Sequence, residues 1–211
     1  MTTIFFMCLL AAPLAADISF TEGDLFNGSS TNAVGQSFQP GLEPVSDPMM
    51  LPGDSVNLDS VLFSSGGSGV GNASTRLAIF SGAFYDFDGS DGLFVPTVTD
   101  TLGISDNSID TTALAYGEAI NFTFSGLEVG YEDVISAVFV TVNGSNEITP
   151  ISVSTAFIQF VEDPPGVFNP ITNYGGTGNF NATSLFADGN GDGFLEGATD
   201  AQDLSFTASF S

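Results

Sequence analysis

The chain has 211 residues and carries 25 Asp and Glu side chains against one basic side chain, Arg76, with no histidine and one cysteine. A formal net charge of −24 excludes nucleic acid and anionic membrane surfaces as partners, because binding to phosphates depends on Lys and Arg. The missing histidines exclude Ser–His, Cys–His and imidazole–metal catalysis.

The first stretch, MTTIFFMCLLAAPLAA, has a short apolar run followed by small residues. This pattern is typical of a secretory signal peptide, so residues 1–16 are predicted to be removed and the protein to be secreted, extracellular or at the cell surface. A buried N-terminal strand or helix is the alternative. The run is shorter than the roughly 20 apolar residues that span a bilayer, and no membrane association is expected. The only cysteine, Cys8, lies in this stretch, so the mature chain has no thiol.

Apolar and polar residues alternate along most of the remaining chain, which is the pattern of β-strands with one buried face. Turn-forming Gly, Asn, Asp and Ser clusters separate the alternating segments. Strands are predicted near residues 17–20, 34–38, 56–63, 74–80, 93–97, 119–124, 134–142, 148–153, 155–161 and 203–210, with shorter ones within 167–186. Helical spacing of apolar residues is almost absent.

The alternation also assigns faces to the predicted strands. Residues expected to share a buried face are, strand by strand, Val56, Leu58 and Leu62; Ile120, Phe122 and Phe124; and Leu204, Phe206, Ala208 and Phe210. The continuously apolar segments STRLAIF and VISAVFVTV are expected to be central strands. The pattern predicts an all-β fold: a single β-sandwich, jelly-roll-like, with about ten or more strands, spanning residues 17–211 as one domain.

Several strand motifs carry a resemblance: NAVGQSFQP, VNLDSVLF, STRLAIFSG, FSGLEVGYEDVISAVFV and the closing DLSFTASF. Together they resemble secreted bacterial domains common among exosortase-sorted (PEP-CTERM) surface proteins and planctomycete or cyanobacterial exported proteins. The resemblance implies an extracellular jelly-roll sandwich of surface or matrix character. The chain lacks the Pro-Glu-Pro motif, membrane span and basic tail of the sorted members, which implies a released or self-assembling protein.

The segment ADGNGDGFLEG begins like a calcium loop, with oxygen-bearing side chains at alternate positions followed by glycine. Its predicted Ca²⁺ ligands are Asp188, Asn190, Asp192, the carbonyl of Phe194, Glu196 and Asp200. The twelfth position is Thr199, where an EF-hand needs Glu, and the flanking sequences are not helical. The segment is therefore predicted to be a hairpin loop around Ca²⁺, with an ordinary Asp-Gly turn as the alternative.

A second acidic segment, YDFDGSDG, is also a candidate calcium loop. Its predicted ligands are Asp86, Asp88, Ser90 and Asp91, and water or backbone carbonyls would have to complete the 6–8 oxygens that Ca²⁺ prefers. A solvated hairpin tip is the alternative. A third acidic group, Asp106 and Asp110, is weaker still.

Arg76 is expected to form a structural ion pair with a carboxylate, or alternatively to face a ligand. Five Asn-x-Ser/Thr sequons predict glycosylation where the host performs it: Asn27, Asn72, Asn121, Asn143 and Asn181.

Two functions fit these observations. The first is a non-enzymatic structural protein of an extracellular matrix, sheath or filament that assembles with itself, with the segment DISFTEGDLF as a free strand that pairs with a neighbouring subunit. The second is a calcium-dependent module that binds an extracellular glycan, with Asn173, Tyr174 and Asn179 as the candidate contacts. A carboxylate-pair glycosidase is disfavoured, because sugar clefts use aromatic rings and the chain has no Trp and four Tyr.

Overall fold

The computed structural model describes residues 16–19, 30–38, 53, 55–67, 69–81, 101–130, 133–145, 147–159, 182–186, 196–197 and 202–211. Within these ranges every regular element is a β-strand, and all strand pairs are antiparallel. These residues contain no helix that is long and apolar enough to cross a membrane.

Seven strands form the first sheet, called sheet 1. They are β1 (Ala16–Ser19), β2 (Ser30–Ala33), β4 (Ser55–Gly66), β7 (Tyr116–Gly130), β10 (Val153–Gln159), β13 (Gln202–Leu204) and β14 (Phe206–Phe210). The main order of the strands is β1-β14-β4-β10-β13, with β7 paired to β4 and β2 paired to β10.

The other seven strands form sheet 2. They are β3 (Gly35–Phe38), β5 (Arg76–Ser81), β6 (Thr101–Ile104), β8 (Ile135–Val142), β9 (Ile148–Pro150), β11 (Ala182–Phe186) and β12 (Glu196–Gly197). The order of the strands is β12-β11-β3-β8-β5-β6, with β9 paired to β8.

The core lies between the two sheets, where alternate side chains from both inner faces interdigitate. Phenylalanine dominates it: the ring of Phe63 lies 4.8 Å from that of Phe139, and Phe38 lies 5.1 Å from Phe206. The prediction of an all-β sandwich with ten or more strands is confirmed.

The central strands of sheet 2 are buried on both faces. In β8, Ala137 and Phe139 point into the main core, whereas Val138 and Val140 join a second apolar cluster on the opposite face. This explains why β5 and β8 are continuously apolar, as predicted for central strands.

The predicted faces hold for β7 and β14 but fail in β4. Ile120, Phe122 and Phe124 are buried as expected. A register shift between Leu58 and Ser60 reverses the alternation, so that Val61 and Phe63 point inward and Leu62 is only half-buried. The prediction for Leu62 was wrong because a bulge moves every later side chain to the other face.

The strand GQSF, β3, packs closely on β8 of its own sheet and also bonds to sheet 1. A Cβ on Gly35 would lie 2.1 Å from the Ala137 carbonyl oxygen, so only glycine fits there. The Gln36 side chain, fully buried, accepts a hydrogen bond from the Leu204 N–H of sheet 1 at 2.9 Å. Ser37 and Ser136 hydroxyls lie 2.7 Å apart.

Some strand boundaries differ from the sequence prediction. The predicted strand near 93–97 lies outside the described residues. Three strands were not predicted: β2, within a Ser/Thr/Asn-rich stretch, β6, a four-residue strand containing Gly103, and β12, a two-residue strand. β2 and β6 contain residues that are rare in strands. They are held by pairing to longer neighbours, β10 and β5.

The buried Gln36–Leu204 hydrogen bond makes a testable contribution to stability. Gln36→Met keeps the side-chain length but leaves the buried Leu204 N–H without this acceptor, which should cost about 1–3 kcal/mol of the free energy of unfolding. Urea unfolding followed by circular dichroism measures it. The exposed strand substitution Ala119→Ser should change stability by less than about 0.5 kcal/mol; equal effects for the two would contradict the assigned role.

Candidate functional site

The first predicted calcium loop connects two paired strands. Phe186 of β11 and Glu196 of β12 are Cα partners, so residues 187–195 link the arms of a β-hairpin. Asp188, Asn190, Asp192, Phe194 and Asp200 lie outside the described residues, and Glu196 is described only as part of its strand. The strand on each side fits the prediction of a hairpin loop rather than an EF-hand, and the Ca²⁺ ligands stay a prediction.

The second predicted loop connects β5 to β6, which are also paired. Its candidate ligands Asp86, Asp88, Ser90 and Asp91 lie outside the described residues. The candidate glycan contacts Asn173, Tyr174 and Asn179 also lie outside them.

The register of sheet 2 shows where these segments are attached. Ala182, Phe38, Ile135 and Ser81 are successive Cα partners and form one row at one end of the sheet. The chain leaves β5 after Ser81 and enters β11 at Ala182, so segments 82–100 and 160–181 are attached at the same end.

The loop 187–195 leaves β11 at the other end of that strand, after Phe186. The neighbouring Leu185 pairs with Gly35, which in turn pairs with Val138. Of the two predicted calcium loops, the second belongs to the segment that is attached at the same end of sheet 2 as the candidate glycan segment.

The third acidic group lies in the described residues, and its two carboxylates have separate partners. Asp106 accepts a hydrogen bond from the Ser125 hydroxyl at 2.7 Å. Asp110 accepts from the Thr112 hydroxyl at 2.6 Å and from the Thr112 N–H at 3.0 Å, and these bonds hold the pKa of Asp110 below its ordinary value. Within the described ranges no three metal-binding side chains converge.

Arg76 is half-buried at the start of β5, and its guanidinium donates a hydrogen bond to the Ser105 carbonyl at 2.7 Å. Ser105 is itself fully buried and hydrogen-bonded to Leu77 through its N–H and its hydroxyl. The side chain thus ties the segment after β6 to β5. The predicted ion pair with a carboxylate stays a prediction.

The segment after β6 covers one edge of sheet 1, a feature that the sequence analysis missed. The Asn107 side-chain amide donates to the Asn121 carbonyl at 2.8 Å and accepts from the Thr123 N–H at 2.9 Å. The Asp106 N–H donates to the Thr123 carbonyl at 2.8 Å. One side chain therefore pairs with β7 as a neighbouring strand's peptide group would. Asn in a turn cluster is the only signal in the sequence, and it does not reveal which strand the amide faces.

The other end of the sheet 1 order is β1, which pairs along its length with β14 of its own chain. The expectation that DISFTEGDLF is a free strand is therefore wrong for residues 17–19, and its residues 20–26 lie outside the described residues. The physical reason is that β14 presents an edge whose backbone groups β1 satisfies in cis.

Three sequons lie in the described residues. Asn121 is exposed on the outer face of β7. The Asn143 side-chain nitrogen donates to Glu147 at 2.7 Å, and the Asn72 side-chain oxygen accepts from the Ser74 N–H. Asn27 and Asn181 lie outside the described residues, and glycosylation at any of the five stays a prediction.

Comparison with known proteins gives little similarity. No protein-family model matches the chain, and no curated protein matches it. A solved structure, the cysteine protease and lectin-like domains of Cwp84, a surface layer associated protein of Clostridium difficile, aligns with 86% of this chain at 14% identity and a TM-score of 0.40. The alignment spans 33% of that longer chain. A likeness this distant says nothing about activity.

The hairpin position of the first calcium loop leads to a prediction. If Ca²⁺ binds there, it links the arms of the β11–β12 hairpin, and saturation at about 100 times Kd should add roughly 2.7 kcal/mol of stability. Asp188→Asn with Asp192→Asn should abolish most of the calcium-dependent rise in melting temperature, about 5–10 °C for a chain of this size.

Differential scanning calorimetry with calcium and with a chelator measures this rise. The matched variant Asp86→Asn with Asp88→Asn reports on the second loop separately. A calcium response unchanged in the first double variant would leave residues 187–197 as an ordinary acidic turn.

Proposed function

We propose that this chain is a secreted, acidic, non-enzymatic structural protein of an extracellular matrix, sheath or filament, which assembles with itself by β-strand addition and is stabilised by calcium. The strand motifs shared with exported bacterial surface domains support the location. The repeating unit of this assembly is the β-sandwich itself.

The observation that carries this proposal is the difference between two edges of sheet 1. The β7 edge is covered by Asn107 and Asp106, which occupy the Asn121 carbonyl and both backbone groups of Thr123. β1 stands at one end of the strand order, and its partner there is β14. Because strand edges invite pairing with another chain, we infer that copies join along the β1 edge rather than along the covered β7 edge.

The chemistry of the side chains supports a non-enzymatic role. No histidine is present, and the single arginine is engaged with a backbone carbonyl of its own fold. Acid–base and nucleophilic catalysis commonly rely on imidazole, thiol or ammonium groups, which the mature chain lacks.

Calcium has a physical role in such an assembly. Each copy carries a formal charge of −24, so copies repel one another at low ionic strength. Ca²⁺ bound by carboxylates reduces that repulsion, and ions held at Asp188 and Asp192 or at Asp86 and Asp88 would stiffen the loops they occupy.

A calcium-dependent carbohydrate-binding module is the second candidate. It is favoured by the shared attachment of segments 82–100 and 160–181 at one end of sheet 2, which follows from the row Ala182, Phe38, Ile135 and Ser81. Asp86 and Asp88 belong to the first of these segments and Tyr174 to the second, and together they would supply an ion and a ring for a sugar.

Self-assembly can be tested by electron microscopy of the purified exported protein at several milligrams per millilitre, with calcium and with a chelator. We expect filaments or sheets that increase in number with calcium, because screening lowers repulsion between copies. The variant Asp188→Asn with Asp192→Asn separates bound calcium from simple screening. Monomers in every condition would contradict the structural function.

Glycan binding can be tested on an array of extracellular polysaccharides with and without calcium. The second candidate predicts calcium-dependent binding that Tyr174→Ala weakens by about fivefold or more, since stacking on an aromatic ring is worth about 1 kcal/mol or more. Tyr116→Ala, at an exposed tyrosine of β7, is the matched control. An array without calcium-dependent signals would eliminate this candidate.

A further inference from the structure

The turn between β8 and β9 begins at Asn143, and the next residue is glycine. We propose that Asn143 is a self-modification site, at which the Gly144 backbone nitrogen attacks the side-chain amide and the residue becomes aspartate or isoaspartate with loss of ammonia. This modification requires no partner molecule other than water, and it is therefore independent of the proposed self-assembly.

The attacking nitrogen and the amide are both accessible. Asn143 and Gly144 are exposed, and a Cβ on Gly144 would meet no atom within 4 Å. Because glycine has no side chain beside its backbone nitrogen, residue 144 does not hinder the approach of that nitrogen to Cγ of Asn143. The two groups belong to adjacent residues, so the attack closes a small ring and needs no encounter between separate molecules.

The hydrogen bonds of the turn polarise the amide. The Asn143 Oδ1 accepts from the Ser145 N–H at 2.9 Å and from the Glu147 N–H at 3.0 Å. When the nitrogen adds to Cγ, negative charge develops on this oxygen, and the two backbone donors already in place stabilise it as an oxyanion hole does. The Asn143 Nδ2 donates to the Glu147 carboxylate at 2.7 Å, and this negative charge favours the protonated form of the departing nitrogen.

Water is the only co-reactant of the modification. The Gly144 N–H proton passes to solvent as the bond from this nitrogen to Cγ forms. The bond from Cγ to Nδ2 then breaks, and Nδ2 takes a proton from solvent and leaves as ammonia, so the product is a cyclic imide. Water opens the imide at one of its two carbonyl carbons. Opening at Cγ gives aspartate, and opening at the Asn143 backbone carbonyl carbon gives isoaspartate.

The modification replaces an attraction in the turn by a repulsion. The Asn143 amide donates to the Glu147 carboxylate, whereas a carboxylate at residue 143 would face Glu147 with like charge, which is unfavourable between neighbouring strands. The next residue, Ile148 of β9, is 3% exposed and belongs to the second apolar cluster of sheet 2. The modified turn therefore loosens β9 and uncovers part of that cluster.

Peptide mapping by mass spectrometry tests the site. The full chain is produced in a host without N-glycosylation, because a glycan on Nδ2 of this sequon would block the reaction, and is kept folded in mildly alkaline buffer for several weeks. We expect a mass increase of about 1 Da at residue 143, since OH replaces NH₂, and a fraction of isoaspartate. Asn57, Asn107 and Asn121, each followed by a residue with a side chain, should stay amides in the same sample.

Gly144→Ala is the matched variant. It keeps Asn143 and its hydrogen-bond partners, and the added Cβ has open space around it. It should slow the conversion by about tenfold or more, because the nitrogen no longer approaches Cγ freely. An unchanged rate in this variant, or conversion of the wild-type chain only after urea unfolding, would overturn the proposal.

Glu147→Gln separates the modification from its effect on β9. Amide hydrogen exchange at Ile148 and Thr149 should become up to about fivefold faster once the wild-type chain is modified, since like charges then oppose each other across the turn. The same modification in Glu147→Gln should leave the exchange unchanged, because the Gln amide donates to the new carboxylate. Equal exchange before and after modification of the wild-type chain would overturn the loosening of β9.

Discussion

A polar side chain in the middle of an apolar sandwich is the constraint on which the rest of this structure depends. Gln36 lies between the sheets, fully buried, and its carbonyl oxygen accepts the Leu204 N–H of the opposite sheet. Because a buried amide without partners is costly, the two sheets are held in the one arrangement that satisfies it. Phe38 and Phe206, two residues further along each strand, then meet ring to ring. The motifs GQSF and DLSF thus contact each other across the core, so the two motifs depend on each other.

Much of the fold could be predicted from the sequence because burial imposes a period of two on each strand. The faces of β7 and β14 follow directly from it. The period of two cannot show where a bulge reverses which side chains face the core. The bulge after Leu58 in β4, opposite the left-handed Gly126 of β7 (φ 68°), causes such a reversal. Leu62 was therefore placed on the wrong face. The short strands β2 and β6 were missed for a related reason. Their stability comes from pairing with β10 and β5, and the amino-acid composition of a short segment does not reveal such pairing.

The candidate sites were less predictable than the fold. Spacing of oxygen-bearing residues identifies loops suited to calcium, but their relative position depends on sheet order and register, which involve residues far apart in the chain. Only the pairing of Ala182, Phe38, Ile135 and Ser81 shows that segments 82–100 and 160–181 are attached at one end of sheet 2. The hydrogen bonds of Asn107 to β7 could not be predicted for the same reason, because a residue in a turn does not reveal which strand edge its side chain will cover.

One continuous segment belongs to both sheets. β2 and β3 are separated by Val34 alone, yet β2 belongs to sheet 1 and β3 to sheet 2. Within sheet 1, β13 and β14 are joined in a similar way by Ser205, whose N–H bonds to β10 and whose carbonyl bonds to β4. If one sheet opened while the other stayed closed, the β2–β3 segment would have to be folded at one end and unfolded at the other. Hydrogen exchange of the amides in both sheets should thus report a single cooperative unit rather than two separate foldons.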